Sequence, residues 1–467
     1  MTKIDYRKIL EDIKPTESEK KKVKALSDYL INFINKKAGD EEIYAEAVLV
    51  GSVAKETWLS RGPGSDTADV DIFIKFPLNT PLDYLKKNGI YLGQECIRNM
   101  EGRHEFRYAS HPYITGIING YEIDFVPCYD IEKSKQLKSA VDRTIPHTIY
   151  VQDNLKKEQI DEVILLKGFM ESVGTYGSEF KVGGFAGYLC ELLILHYGTF
   201  QEVLEAASEE WKPGYMIDLR KYGTASNFDE PLVVVDPVDP KRNVAAALSL
   251  QKMSEFMVAS RNFLQEQSST YFYPREIPAD LKTIKEELEK RGTKTLILSF
   301  KTPDIPADAL YPQIKKTEKS MMHLAEREGF KTQGSDSWTD EKEKVLILLE
   351  FDVWMLPKIM KHYGPPVWSH THQQKFLDKY KNKTWVHGDK WVAEVGRDFT
   401  DVQLLLEAAL SENKIGLLKF GKHIKKEILE EHQLIDLMEF LESETTQKDV
   451  LEFLYKYLHK NWSLWRT

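Results

Sequence analysis

GSVAKETWL at residues 51–59 and ADVDIFIKF at residues 68–76 decide how the first part of this chain folds. The run EIYAEAVLV before them reads as a strand that ends at Gly51-Ser52. VAKETWL reads as a short helix, SRGPGSDTA as a loop, and DVDIFIKF, with its alternating apolar residues, as a second strand. On that strand Asp69 and Asp71 are two residues apart, so both side chains leave the same face about 6.6 Å apart. Val70, Ile72 and Ile74 point the other way, which explains how a strand meant for burial tolerates two acids.

Two carboxylates held this close repel each other. A hard divalent cation with oxygen ligands relieves the repulsion, and Mg²⁺ commonly bridges carboxylates to substrate phosphates. Further along, HPYITGII and YEIDFVP flank Asn119-Gly120, a strong two-residue hairpin signal. Asp124 sits in the second of these strands, between Ile123 and Phe125, where aspartate is disfavoured. Facing the same metals would explain it, in a site where two ions about 3.5–4 Å apart clamp the attacking and leaving oxygens. The plainer reading is a turn cap or an arginine partner. Upstream, a strand closing and a helix opening at Gly51-Ser52 leave backbone N–H groups that favour anions. Ser52 offers a hydroxyl and Lys55 a cation one turn later, which together suit a triphosphate.

The rest of the chain bounds the setting. At 467 residues it exceeds one hydrophobic core, so several domains are expected. We place them at 1–145 (mixed α/β, with the carboxylates), 146–275 (helical) and 276–467 (α/β body and tail). Val23, Leu26, Leu30, Phe33 and Ile34 mark an early helix. DEVILLKGFMESVG and GFAGYLCELLILHYGTF mark the helical middle, and another helix is expected from about Arg242 to Gln265. YFYPREIPAD suits a junction. TKTLILSF, LYPQIKKTEKSMMHLAEREGF and KVLILLEFDVW then read as strand, helix and strand, ahead of two closing helices.

Cys96, Cys128 and Cys190 form no CxxC pair, which excludes a thiolate zinc site or disulfide framework and fits a reducing cytoplasm. The opening MTKIDYRK is polar, and no apolar stretch of about 18 residues occurs, so neither secretion nor a membrane span is expected. The formal charge of −9 argues against a simple nucleic-acid coat. One window inverts it: Lys375, Lys379, Lys381, Lys383, Lys390 and Arg397 face only Asp378, Asp389 and Glu394, with Phe376, Tyr380, Trp385 and Trp391 interleaved. Such a surface can track a nucleic-acid backbone and stack bases, although a solvated face over buried aromatics would read the same way. Lys419, Lys422, Lys425 and Lys426 supply a second basic run on a helix near the C terminus. His370 and His372, without further ligands, read as surface residues.

GSVAKETWL, ADVDIFIKF and YEIDFVPCYDI together resemble the nucleotidyltransferase superfamily that includes DNA polymerase β and the poly(A) polymerases. SAVDRTIPH, LLKGFMESVGTYGSEFKVGGFAGYLCELL and DPVDPKRNVAAALSL more narrowly resemble the class I, archaeal-type CCA-adding enzymes, and LYPQIKKTEK and YGPPVW extend the likeness toward the C terminus. The resemblance implies an α+β multidomain fold with a polymerase β-like catalytic domain and a mixed sheet. It also implies template-independent addition of C, C and A to tRNA lacking all or part of its 3′ CCA, from CTP and ATP.

On this resemblance Asp69, Asp71 and Asp124 hold two Mg²⁺ ions. Ser52, Lys55, His147, Lys167 and Tyr176 contact triphosphate or sugar, with Gly51 allowing close approach, and Arg242 reads the incoming base. Read from the residues alone, Lys167 in an apolar helix is a snorkelling or anion-paired cation, Tyr176 a packing aromatic, and Arg242 a helix-terminal structural residue. The oligomeric state stays open, a homodimer among the options. The alternative enzyme is a poly(A) or oligoadenylate synthetase of the same superfamily. The non-enzymatic alternative is an RNA-binding scaffold, against which the three carboxylates speak.

Overall fold

The computed structural model describes residues 4–60, 68–108, 112–131, 137–139, 141–273, 275–411, 415–443, 447–462 and 464–466. Most of the Gly/Pro/Ser loop (61–67) lies outside the described residues, as does residue 274 of the proline-containing stretch. The chain divides into two units, residues 1–276 with 461–467, and residues 277–460. Among the described residues no helix is long and apolar enough to cross a membrane.

In the first unit, α1 (Tyr6–Ile13) is capped by Asp5, and α2 (Glu17–Asp40) opens with a capping box between Thr16 and Glu19. The chain then forms β1 (Glu46–Val50), α3 (Gly51–Ala54), β2 (Asp69–Phe76), α4 (Leu82–Asn99), β3 (Arg103–Tyr108), β4 (Pro112–Ile118) and β5 (Tyr121–Tyr129). These strands make a mixed five-stranded sheet in the order β1-β2-β5-β4-β3, with β2 and β5 parallel. As the NG dipeptide predicts, Asn119 (φ 52°) and Gly120 (φ 88°) turn β4 into β5. Leu30, Ile34, Leu85, Leu92 and Ile97 bury one sheet face together with Val70, Ile72, Ile74, Ile123 and Phe125. On the opposite face, Phe73, Val126 and Cys128 pack with Val141 and the half-buried Ile145. Asp69, Asp71 and Asp124 lie on that same face.

The helical part contains α5 (Thr144–Asn154), α6 (Gln159–Ser172), α7 (Gly187–Tyr197) and α8 (Phe200–Glu209). A small sheet follows, of β6 (Tyr215–Ile217), β7 (Leu232–Asp236) and β8 (Asp239–Asn243), and then α9 (Leu250–Glu266). Phe169 meets Phe200, Phe256, Phe263 and Tyr271 at ring separations of 5.4 to 6.1 Å in its core. Beside the helices, the apolar run LVVVD forms a strand, being too short and too rich in β-branched residues for a helix. One expectation needs correction. Arg242 lies on β8 rather than at a helix start, since Ser249 caps the following helix through Lys252 N–H.

The second unit runs α10 (Leu281–Arg291), β9 (Lys294–Lys301), α11 (Ala307–Arg327), β10 (Lys331–Thr339), β11 (Lys344–Val353) and β12 (Ile359–Pro366). After these come α12 (His370–Tyr380), β13 (Thr384–His387), β14 (Lys390–Gly396), α13 (Val402–Leu410), α14 (Lys422–Glu430), β15 (His432–Asp436), α15 (Leu437–Ser443) and α16 (Lys448–Leu458). The sheet β10-β11-β9-β15 is antiparallel, and β12-β14-β13 forms a separate three-stranded sheet. Where two closing helices were expected, four α-helices and a strand follow the basic window among the described residues.

Candidate active site

Parallel pairing places Asp71 opposite Asp124, with Asp69 opposite Glu122, so the acids of β2 and β5 share one face. The register therefore brings together the three aspartates singled out in the sequence. Asp71 presses against Gly51: a Cβ there would lie 1.9 Å from Asp71 Oδ2, and Gly51 has φ +74°. Only glycine can turn β1 into α3 at this point. The helix ends at Ala54, earlier than VAKETWL suggests, because Glu56 takes a left-handed φ of 58°. The Gly51 N–H is not free as expected but donates to Thr148 Oγ1 at 3.3 Å.

Burial, then the negative charges of Asp124 and Asp69, push the Asp71 carboxyl up to about 7, with Lys55 opposing. Burial also raises Asp124, although it accepts a hydrogen bond from Thr115 Oγ1 at 2.5 Å and feels the positive charge of Arg107. As they stand, the side chains of the described residues gather no three acidic, His or Cys groups tightly enough to enclose an ion, Asp124 being turned onto Thr115. Yet the donor set fits a hard cation. It consists of carboxylate oxygens on one face, where burial first and then their mutual charge raise the Asp71 carboxyl.

These groups line a cavity of about 490 Å³ together with Ser52, Lys55, Lys167, Tyr176 and Glu191. Lys55 and Lys167 do not project freely into it. Lys55 Nζ pairs with Glu191 Oε2 at 2.5 Å, and Lys167 Nζ, 1% exposed, contacts Thr57 O (2.9 Å), Thr57 Oγ1 (3.2 Å) and Glu191 Oε1 (3.3 Å). Lys167 is thus the anion-paired cation among the readings of its helix. Burial and the charge of Lys55 hold the Lys167 ammonium below its usual range. The two lysines outweigh burial and hold Glu191 below the usual carboxylate range. Burial raises the Tyr176 phenol well above its ordinary value, so it stays neutral.

A second cavity, about 390 Å³, is lined by Arg242, Arg143 and Asn243 and shares Ser178 with the first. Arg242 Nη1 donates to Asp236 Oδ2 at 2.9 Å, and His147 Nε2 reaches the same oxygen at 2.8 Å. His147 stacks on Tyr188 at 3.9 Å, and burial keeps its imidazole below the usual histidine range. Sequence reasoning missed Glu191 and Asp236. The signal was there: each is a lone acid in an apolar element, GYLCELLILHY and LVVVD, as Lys167 is a lone base.

The basic residues singled out in the second unit fall in two places. Lys375 and Lys379 on α12, then Lys381, Lys383 and Lys390, are exposed. Arg397 is not part of an open stripe, because its guanidinium donates to Glu328 O at 3.0 Å. Phe376 stacks on His362 at 5.7 Å, and Trp391 Nε1 donates to Gln373 at 3.0 Å, so both pack α12 onto its sheet while Trp385 remains exposed. Lys419 precedes α14 rather than lying on it. Lys422, Lys425 and Lys426 are on the helix and exposed, with Lys426 paired to Glu430 at 3.4 Å. His370 and His372 are exposed at the start of α12.

Comparison with known proteins matches residues 28–147 to a nucleotidyltransferase domain, 161–273 to the second domain of tRNA nucleotidyltransferase, and 291–436 to the C-terminal domain of the CCA-adding enzyme. A CCA-adding enzyme of Methanothermobacter thermautotrophicus is 51% identical, over 97% of this chain and 98% of that protein. Those of Methanosarcina acetivorans (39%, over 92% of each chain) and Pyrococcus abyssi (33%, over 94% and 96%) are also similar. Among solved structures, a Cid1 poly(U) polymerase covers 58% of this chain and 98% of its own, at 15% identity and a TM-score of 0.46. Half of the residues are identical along nearly the whole length of the first of these relatives, and the chain belongs to the CCA-adding enzymes.

Proposed function

We propose that this chain adds C, C and A to the 3′ end of tRNA lacking them, from CTP and ATP and without a nucleic-acid template. The observation that carries the reading is the register that sets Asp71 opposite Asp124 with Asp69 on the same face, in a cavity that Lys55 and Lys167 also line. The 3′-oxygen of the RNA attacks the α-phosphorus of the nucleotide, the bond from that phosphorus to the bridging oxygen breaks, and pyrophosphate leaves. Asp69, Asp71 and Asp124 would hold divalent cations, taken as two Mg²⁺, which when bound neutralise phosphate charge and lower the pKa of the 3′-hydroxyl.

The chain's own groups do the rest. Gly51 admits the phosphates close to the backbone, and the Ser52 hydroxyl donates to them. Lys55 exchanges Glu191 for the incoming triphosphate, while Lys167 stays with Glu191 and Thr57 and keeps the buried carboxylate paired. Tyr176, neutral and facing the cavity, donates from its phenol. Arg242 reads the base. Its donors match cytosine O2 and N3 or adenine N1, and meet the N–H of uracil N3 or guanine N1 unfavourably. The two exposed groups of lysines, around α12 and on α14, take the RNA backbone.

Asp69→Ala, Asp71→Ala and Asp124→Ala should each abolish transfer while keeping the thermal transition of the folded protein, and a chelator should abolish transfer by the unaltered chain until Mg²⁺ is restored. Near-normal turnover in Asp71→Ala, or in metal-free enzyme, would refute the reading.

A further inference from the structure

We infer that Asp236 is a positioning residue for base choice, holding Arg242 in the orientation in which it meets the incoming nucleobase. The inference rests on the reading of Arg242 given above.

Asp236 ends β7, behind the buried Val233, Val234 and Val235, and is itself 0% exposed. A buried carboxylate must be paired and hydrogen-bonded. Its Oδ1 accepts from Val238 N–H at 3.0 Å, which closes the turn into β8, and lies 3.4 Å from the Tyr188 hydroxyl. Its Oδ2 accepts from Arg242 and from His147. Those partners hold Asp236 ionised, and an ionised carboxylate only accepts, so His147 donates through Nε2. One side chain thereby ties α5, α7 and the β7–β8 hairpin together.

Were Arg242 only the counter-ion of Asp236, nothing would require it to reach a cavity. Its side chain instead stays 34% exposed and lines the cavity that adjoins the carboxylates through Ser178. One Nη donor is spent on Asp236, and the rest of the planar fork remains available. A free arginine would lose substantial rotamer entropy on binding a base; clamping it beforehand removes that loss and fixes the angle at which a wrong base is refused. The hairpin repeats the device. Asp239 holds Arg143, which lines the same cavity, at 2.9 Å.

The test measures kcat and KM for CTP, ATP, UTP and GTP on tRNA lacking its CCA end, with Asp236→Asn, Arg242→Ala and the double variant. Asp236→Asn should lower the preference for CTP over UTP about tenfold, the scale of one misplaced charge-assisted hydrogen bond, with KM for tRNA unchanged. In the double variant the preference should fall no further than in Arg242→Ala, because Asp236 acts through Arg242. Should Asp236→Asn not yield folded protein, Asp236→Glu, which keeps the charge and shifts it by one methylene, should show the same loss. If Arg242→Ala keeps the CTP preference, the reading of Arg242 fails and takes this inference with it. If Arg242→Ala loses it while Asp236→Asn and Asp236→Glu keep it, this inference alone is overturned and Asp236 is a structural clasp.

Discussion

Glu191 decides how the two lysines of the site behave. Lys55 and Lys167 share this one carboxylate, which is 0% exposed. Glu191→Gln leaves two buried ammonium groups facing each other without compensation, and we expect a loss of about 3 kcal/mol, seen as a lower denaturation midpoint. Lys55→Met should behave differently. Lys167 and Thr57 still hold Glu191 Oε1 while Oε2 loses the Lys55 contact, so part of the stability should go as well, and KM for CTP and ATP should rise about tenfold for one lost charge-assisted contact to phosphate. A large stability loss in Lys55→Met with unchanged KM would make Lys55 structural only. At this scale the acids of the site were legible, because alternation on β2 forces Asp69 and Asp71 to one face and Asp124 breaks an apolar strand. What Lys55, Lys167 and Arg242 touch was not, since Glu191 lies 136 residues from Lys55 and no local periodicity encodes that pairing.

Among the elements, β11 shows how the second unit is tied together. Glu350, buried in that strand, accepts from Arg291 Nε at 2.7 Å and Nη2 at 2.9 Å, from Thr293 at 2.6 Å, and from the Tyr457 hydroxyl of α16 at 2.8 Å. Burial alone would raise its carboxyl, but the hydrogen bonds of Arg291, Thr293 and Tyr457 outweigh it and hold the group below the usual carboxylate range. A depressed folded value means that the unfolded chain binds the proton first. The stabilisation is therefore complete above the unfolded value, about 4.3, and is lost as pH falls through the folded one. Denaturation measured from pH 7 down to pH 3 should show Glu350→Gln less stable at neutrality by about 3–5 kcal/mol, with the gap closing in acid. A gap independent of pH would remove Glu350 from this role. The same scale shows where sequence reading slips. TKTLILSF and KVLILLEFDVW are long apolar strands and were legible, whereas the three-residue β6 and five-residue β8 carry too few residues to show a period.

For the molecule as a whole, the charge of −9 and the need to hold RNA are reconciled by distribution. Affinity for tRNA should fall steeply with salt, since backbone binding releases counter-ions. Replacing Lys375, Lys379, Lys381, Lys383 and Lys390 by glutamine should raise KM for tRNA and reduce the salt slope without altering KM for CTP. Arg397, held by Glu328 O, should contribute less than any of them. Equal weakening for tRNA and CTP would contradict that separation of roles. The central claim is the identity of the product. Unaltered protein given Mg²⁺ and tRNA trimmed of its 3′ CCA should add two C residues with CTP alone, stop, and add a single A once ATP is supplied, as read by sequencing the 3′ end. Runs of A from ATP alone on the same trimmed tRNA, or no extension with CTP, would contradict the account.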